Sequence, residues 1–145
     1  MKKQLTAIIM VLFVGICSMQ AQSVVGKWKT IDDATKKAKS IVEITEVNGK
    51  LQGKIIEILN PERKNATCDK CSGSEKGKKI EGLVIIKDMK KDGDSYSGGT
   101  ITDPEKGKAY SCIIKINEKN KDVLDVRGYV GISFAGRTQT WTRVK

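Results

Sequence analysis

Residues 124–145 read LDVRGYVGISFAGRTQTWTRVK, and this stretch decides the fold. Two runs of alternating character, Leu124–Val130 and Arg137–Val144, flank a Gly-rich turn at 131–136 that is long enough for one helical turn. Alternation with a period of two marks a half-buried strand, and two such runs joined by a short turn make an antiparallel hairpin. The stretch holds three of the chain's four arginines (Arg127, Arg137 and Arg143), together with Tyr129 and Trp141. Elsewhere the positive charge is almost all lysine. Arginine makes planar, stacked or bidentate contacts, whereas lysine is mostly a solvated point charge. This end of the chain is therefore expected to make geometrically specific contacts.

The same pattern repeats upstream. Val24–Thr30 reads as a first strand with Val24, Gly26 and Trp28 on one face, and Asp32 and Asp33 end it. Ser40–Glu46 and Leu51–Leu59 flank Asn48-Gly49, a two-residue hairpin signal because both central positions of that turn need positive φ. Gly53 inside the third strand predicts a bend or bulge. Leu83–Met89, Ser95–Ile101 (interrupted by Gly98-Gly99), Lys108–Ile116 and Val123–Val130 follow, separated by Asp92-Gly93-Asp94, by Asp103-Pro104-Glu105-Lys106-Gly107 and by a polar turn at 117–122. In the sixth strand Tyr110, Cys112, Ile114 and Ile116 share a face. Residues 60–81 form a long polar loop carrying Cys68-Asp69-Lys70-Cys71, and loops of that length in compact domains are usually functional or mobile. Eight short strands in consecutive hairpins predict an all-β fold, an antiparallel up-and-down barrel. Eight strands enclose a lumen that side chains fill or that holds one small ligand.

Lys2 and Lys3, the apolar run Leu5–Met19 and Gln20-Ala21-Gln22 give the charged, apolar and cleavage-site order of a signal peptide, with the cut placed after Ala21. Residues 1–21 are then a leader, and residues 22–145 form one domain with no transmembrane segment, exported to the periplasm or secreted. The formal charge of +10 falls to +8 once Lys2 and Lys3 leave. The remaining lysines are scattered along the chain rather than gathered in one stretch, which reads as a solvated surface rather than a nucleic-acid footprint.

The chain has no histidine. The commonest general base, the Ser-His and Cys-His nucleophile pairs and the commonest metal ligand are therefore missing. No catalytic residue, cofactor or metal site is expected. Asp92 with Asp94, and Asp103 with Glu105, sit where turns demand such residues on backbone grounds. Three cysteines follow the leader, and an exported compartment favours a Cys68–Cys71 disulfide, with Cys112 left as a small buried hydrophobe. A redox-active pair is the weaker reading, since such a pair usually sits at a helix N-terminus.

Gly26-Lys27-Trp28 resembles the Gly-x-Trp signature of lipocalins. In that superfamily the Trp closes the lower end of the barrel and an Arg from near the C-terminus packs across it. The resemblance assigns barrel closure to Gly26, Trp28 and Arg143, with Arg137 the second choice for the Arg. The whole chain after the leader also resembles a bacterial exported family catalogued as domain of unknown function 2147. That likeness is carried by Val25-Gly26-Lys27-Trp28, Gly82-Leu83, Gly99 through Asp103-Pro104, Gly107-Lys108-Ala109-Tyr110, Val126-Arg127-Gly128-Tyr129-Val130-Gly131 and Gly136 through Arg143. It implies a lipocalin-like barrel outside the cytoplasm and no established activity.

The expected function is a non-enzymatic binding protein for a small amphipathic or anionic ligand. Arg127, Tyr129, Gln139 and Trp141 are the expected ligand contacts, with Arg taking an anion and the aromatic rings stacking on the ligand body. The alternatives are an envelope structural or interaction protein with a filled barrel, and a thiol-disulfide protein acting through Cys68 and Cys71.

Overall fold

The computed structural model describes residues 23–132 and 135–145. The expected leader, residues 1–21, lies outside the described residues, as do positions 22, 133 and 134. Eight strands follow in order: β1 (Gly26–Ile31), β2 (Ala38–Val47), β3 (Lys50–Ile58), β4 (Val84–Asp92), β5 (Ser95–Asp103), β6 (Lys108–Ile116), β7 (Val123–Tyr129) and β8 (Arg137–Arg143). Each pairs antiparallel with the next, and β8 pairs with β1 to close the barrel. The expected up-and-down topology is the observed one.

Local chemistry sets the corners. Asn48 and Gly49 take φ of 53° and 77°, and Val47 pairs with Lys50 across them. That is the left-handed pair a two-residue hairpin turn requires. Gly53 does mark an irregularity, because the β3–β4 register slips on both sides of it. The cause is close packing: a Cβ there would sit 2.9 Å from Ile86 Cδ1. The β5–β6 register likewise slips between Tyr96 and Gly99.

The barrel is filled at one end and hollow at the other. Trp28, Ile44, Leu51, Met89, Ile114 and Leu124 are buried together near the end that carries the β2–β3, β4–β5 and β6–β7 turns. The opposite end, the mouth, carries the β1–β2, β3–β4, β5–β6 and β7–β8 connections. Burying each large side chain is worth roughly 1.5–3 kcal/mol, so the filled half carries much of the stability.

The polar β3–β4 connection is a folded element rather than an open loop. Short 3-10 turns form at Pro61–Arg63 and Gly73–Glu75, and Thr67 bridges to Lys79. The Cys68 amide donates to the Lys78 carbonyl at 2.7 Å, and the Ile80 amide donates to the Ala66 carbonyl at 2.9 Å. Cys68 and Cys71 form a disulfide, and both are buried. The Cys68 Sγ lies 3.2 Å from the Pro104 carbonyl oxygen of the β5–β6 turn. At Gly107 in the same turn a Cβ would collide with the Lys70 carbonyl, so only glycine lets the two backbones approach this closely. No helix among the described residues is long and apolar enough to cross a membrane.

Candidate ligand cavity

The closed end of the barrel fixes where the open end lies. Trp28 and Arg143 are register partners across the β1–β8 seam. The Arg143 guanidinium carbon lies 4.3 Å from the centre of the Trp28 ring. The Trp28 indole N–H donates to the Val24 carbonyl at 2.8 Å, and Arg143 donates to the Ser23 carbonyl at 2.9 Å. Asp122 lies 3.6 Å from the Arg143 Nε, too far for a good hydrogen bond but close enough to offset the charge. Gly26, at φ 145°, leaves room for the guanidinium, since a Cβ there would sit 3.2 Å from it. Gly26, Trp28 and Arg143 thus meet as a plug.

The β1–β8 ladder pairs only Trp28 with Arg143 and Lys29 with Thr142. Toward the mouth the seam continues through side chains. The Asp33 Oδ2 accepts from Gln139 Nε2 at 2.6 Å and also from Arg137. Gln139 Oε1 accepts from the Trp141 indole N–H at 3.1 Å. An indole nitrogen can only donate, so this bond turns the Gln139 amide nitrogen toward Asp33. The chain Trp141–Gln139–Asp33–Arg137 runs from the buried floor to the exposed rim.

Behind this clasp lies a cavity of about 820 Å³ open at the mouth. Ile55, Ile58, Ile85, Ile101, Val126 and Trp141 form its apolar floor and walls. Thr30 and Ser40, register partners in β1 and β2, place a buried hydroxyl pair at 2.7 Å in the wall. Ala66 and Ile80 of the disulfide-bearing connection complete the wall. Glu105 pairs with Lys39 at 3.3 Å and with Arg63 at 3.5 Å, tying β2 and that connection to the β5–β6 turn.

Of the four residues expected to contact a ligand, Gln139 and Trp141 line this cavity and Arg127 and Tyr129 do not. The reason is the face of β7. Val126 pairs with Gln139 and Leu124 with Trp141, and Leu124 and Val126 are buried. Strict alternation then turns Arg127 and Tyr129 outward. Arg127 instead donates to the Thr138 hydroxyl at 2.9 Å on the outer face. Burying Leu124 and Val126 outweighs whatever Arg127 and Tyr129 would gain inside.

Sequence reasoning missed Asp33, Thr30, Ser40 and Arg63. Asp33 looked like an ordinary turn residue. The available signal was topological: in a closed barrel the end of the first strand must lie beside the start of the last.

Cys112 faces the interior as a free thiol, and burial pushes its pKa up to about 12. It is held neutral and lies outside the cavity lining. The disulfide sulfurs sit on residues that are 0% and 5% exposed, a poor position for exchange with another protein's thiol.

No curated protein matches the chain. A solved structure described as protein HP1028 from the human pathogen Helicobacter pylori, which belongs to the lipocalin family, is similar. It shares 25% identity and a TM-score of 0.73, over 85% of this chain and 84% of that one. Its likeness agrees with the eight-stranded barrel. The family model described as uncharacterised protein conserved in bacteria (DUF2147) matches residues 26–143. Spanning nearly all of the described barrel, that match shows that the chain belongs to this bacterial family.

Proposed function

We propose that the protein is an exported, non-enzymatic binding protein that carries a small amphipathic molecule in the mouth of its barrel. The cavity is the observation that carries this reading. Its volume of about 820 Å³ falls within the usual ligand-pocket range, and an apolar floor with a few placed polar groups is how such sites are built. A barrel whose interior were wholly filled would serve a purely structural role better. The lipocalin-like form supports binding, and the N-terminal charged and apolar segment supports export, as does a disulfide in the mature region. The buried disulfide and the neutral Cys112 favour structure over redox chemistry.

The test is a titration with N-phenyl-1-naphthylamine, a neutral apolar fluorophore that brightens out of water. The reading expects saturable brightening by the wild type and its loss in Gly128→Leu. A Cβ at Gly128 would make only ordinary contacts, at 3.6 Å from Tyr110 Cβ and 3.7 Å from Ile101 Cγ2. Leucine there therefore grows into the cavity without forcing the barrel apart. No brightening, or equal brightening by both proteins, would overturn the reading.

A further inference from the structure

We infer that the cavity selects amphiphiles with a protonated amine head, and that Asp33 is the seat of that amine; this rests on the ligand-carrying reading above. The charged groups around the mouth are sorted by depth. Among those lining the cavity, Asp32, Asp33 and Asp103 are half-buried, whereas Lys37, Arg63, Lys106 and Arg137 are exposed, as are the carboxylates Glu62 and Glu105. Lys39 is the half-buried cation, and Glu105 already holds it at 3.3 Å. A ligand head passing the rim therefore meets carboxylates.

Two of those carboxylates are committed to their own turns. Asp32 accepts from the Ala34 and Thr35 amides at 3.0 and 2.7 Å. Asp103 accepts from the Glu105 and Lys106 amides at 3.0 and 3.3 Å. Asp33 differs in what holds it: its bonds come from the Gln139 and Arg137 side chains across the seam, not from amides of its own turn. Both reach Oδ2, and among the described residues Oδ1 accepts none. Gln139 holds the carboxylate in place, and Trp141 fixes Gln139 from below. The result is an oriented carboxylate at the top of an apolar cavity with an oxygen to spare.

Arg137 is the present counter-ion, but its side chain is 64% exposed against 32% for Asp33. Exposed ion pairs are worth little, so Arg137 returns to water at small cost when another cation arrives. An ammonium carried in on an alkyl chain keeps its three donors within reach of Asp33 while the chain covers Ile55, Ile85 and Ile101. A carboxylate head in the same place would face Asp33 as a like charge.

The experiment measures displacement of N-phenyl-1-naphthylamine by dodecylammonium, dodecanol and dodecanoate below their micelle concentrations at pH 7. Wild type, Asp33→Asn and Arg137→Gln are compared. In the wild type dodecylammonium is expected to displace the probe at about tenfold lower concentration than dodecanoate, the scale of a charge-assisted hydrogen bond. Asp33→Asn should remove that preference and Arg137→Gln should widen it. Equal or tighter dodecanoate binding, or a preference unchanged in Asp33→Asn, would overturn the inference while leaving the ligand-carrying reading intact. Should Asp33→Asn fail to fold, the Arg137→Gln result decides, since a narrowed or unchanged preference there also overturns it. Failure of the probe and all three amphiphiles to bind would overturn both readings.

Discussion

Arg143 and Trp28 face each other across the seam where the barrel closes, with the guanidinium carbon 4.3 Å from the ring centre. The contact joins the first strand to the last, and Arg143 also reaches the Ser23 carbonyl. A single side chain thus stacks on the seam and caps the closed end. Arg143→Ala should destabilise the barrel by about 2 kcal/mol, the scale of a desolvated cation–π contact. Arg143→Lys should recover only part of this, since an ammonium cannot both stack flat and reach Ser23. Urea midpoints at constant m-value check both.

Gly26 supports the same plug from below. Gly26→Ala puts a Cβ 3.2 Å from the guanidinium at a φ of 145° that L residues rarely adopt. A cost of roughly 1–3 kcal/mol is expected from the backbone alone. In an Arg143→Ala background the steric part of that cost should shrink and the backbone part should stay. A double-mutant cycle on urea denaturation separates the two.

The disulfide should stabilise modestly. Cys68 and Cys71 are three positions apart, so the ring removes little unfolded-state entropy, about 2 kcal/mol in the chain-entropy account. Cys68→Ala with Cys71→Ala should lower stability by about that much and leave the barrel folded by far-UV circular dichroism. The β3–β4 connection should become the first site of proteolysis. It forms part of the cavity wall through Ala66 and Ile80, so probe affinity should fall together with protease resistance.

Cys112 gives a prediction with a sign. Burial raises its pKa from the ordinary 9.0 to about 12, so the unfolded chain loses the proton first as pH rises. Between these values the folded state binds more protons than the unfolded state, and stability falls with rising pH. The contribution is fully present below pH 9 and is lost as pH rises toward 12. Wild type should lose stability over this window faster than Cys112→Ala does. Ellman's reagent should react with the thiol in urea and be excluded from it in the native state.

How much of this was legible in the sequence follows from how local each signal is. The Asn48-Gly49 turn depends on backbone chemistry within two residues and could be read directly. Gly53 and Gly98-Gly99 could be read as irregularities because a glycine inside a strand is itself the signal, although the close approaches that Gly53 and Gly99 permit, to Ile86 and to Lys87, are distant in sequence. The plug of Gly26, Trp28 and Arg143 was legible through its resemblance to a known signature. The inner face of β7 was not, because both faces carry large side chains. Leu124 and Val126 alternate with Arg127 and Tyr129, and only the packing of neighbouring strands decides between them. Asp33 was less legible still. Its partner Gln139 lies 106 residues away, and nothing near it in sequence distinguishes it from any turn aspartate.

The central claim is that the hollow mouth carries a ligand. The most direct measurement is native mass spectrometry after equilibrating the wild type and Gly128→Leu separately with a bacterial envelope lipid extract. The account predicts one added mass per wild-type chain, lost on denaturation, and bare Gly128→Leu. A bare wild-type protein, or the same added mass on both proteins, would contradict it.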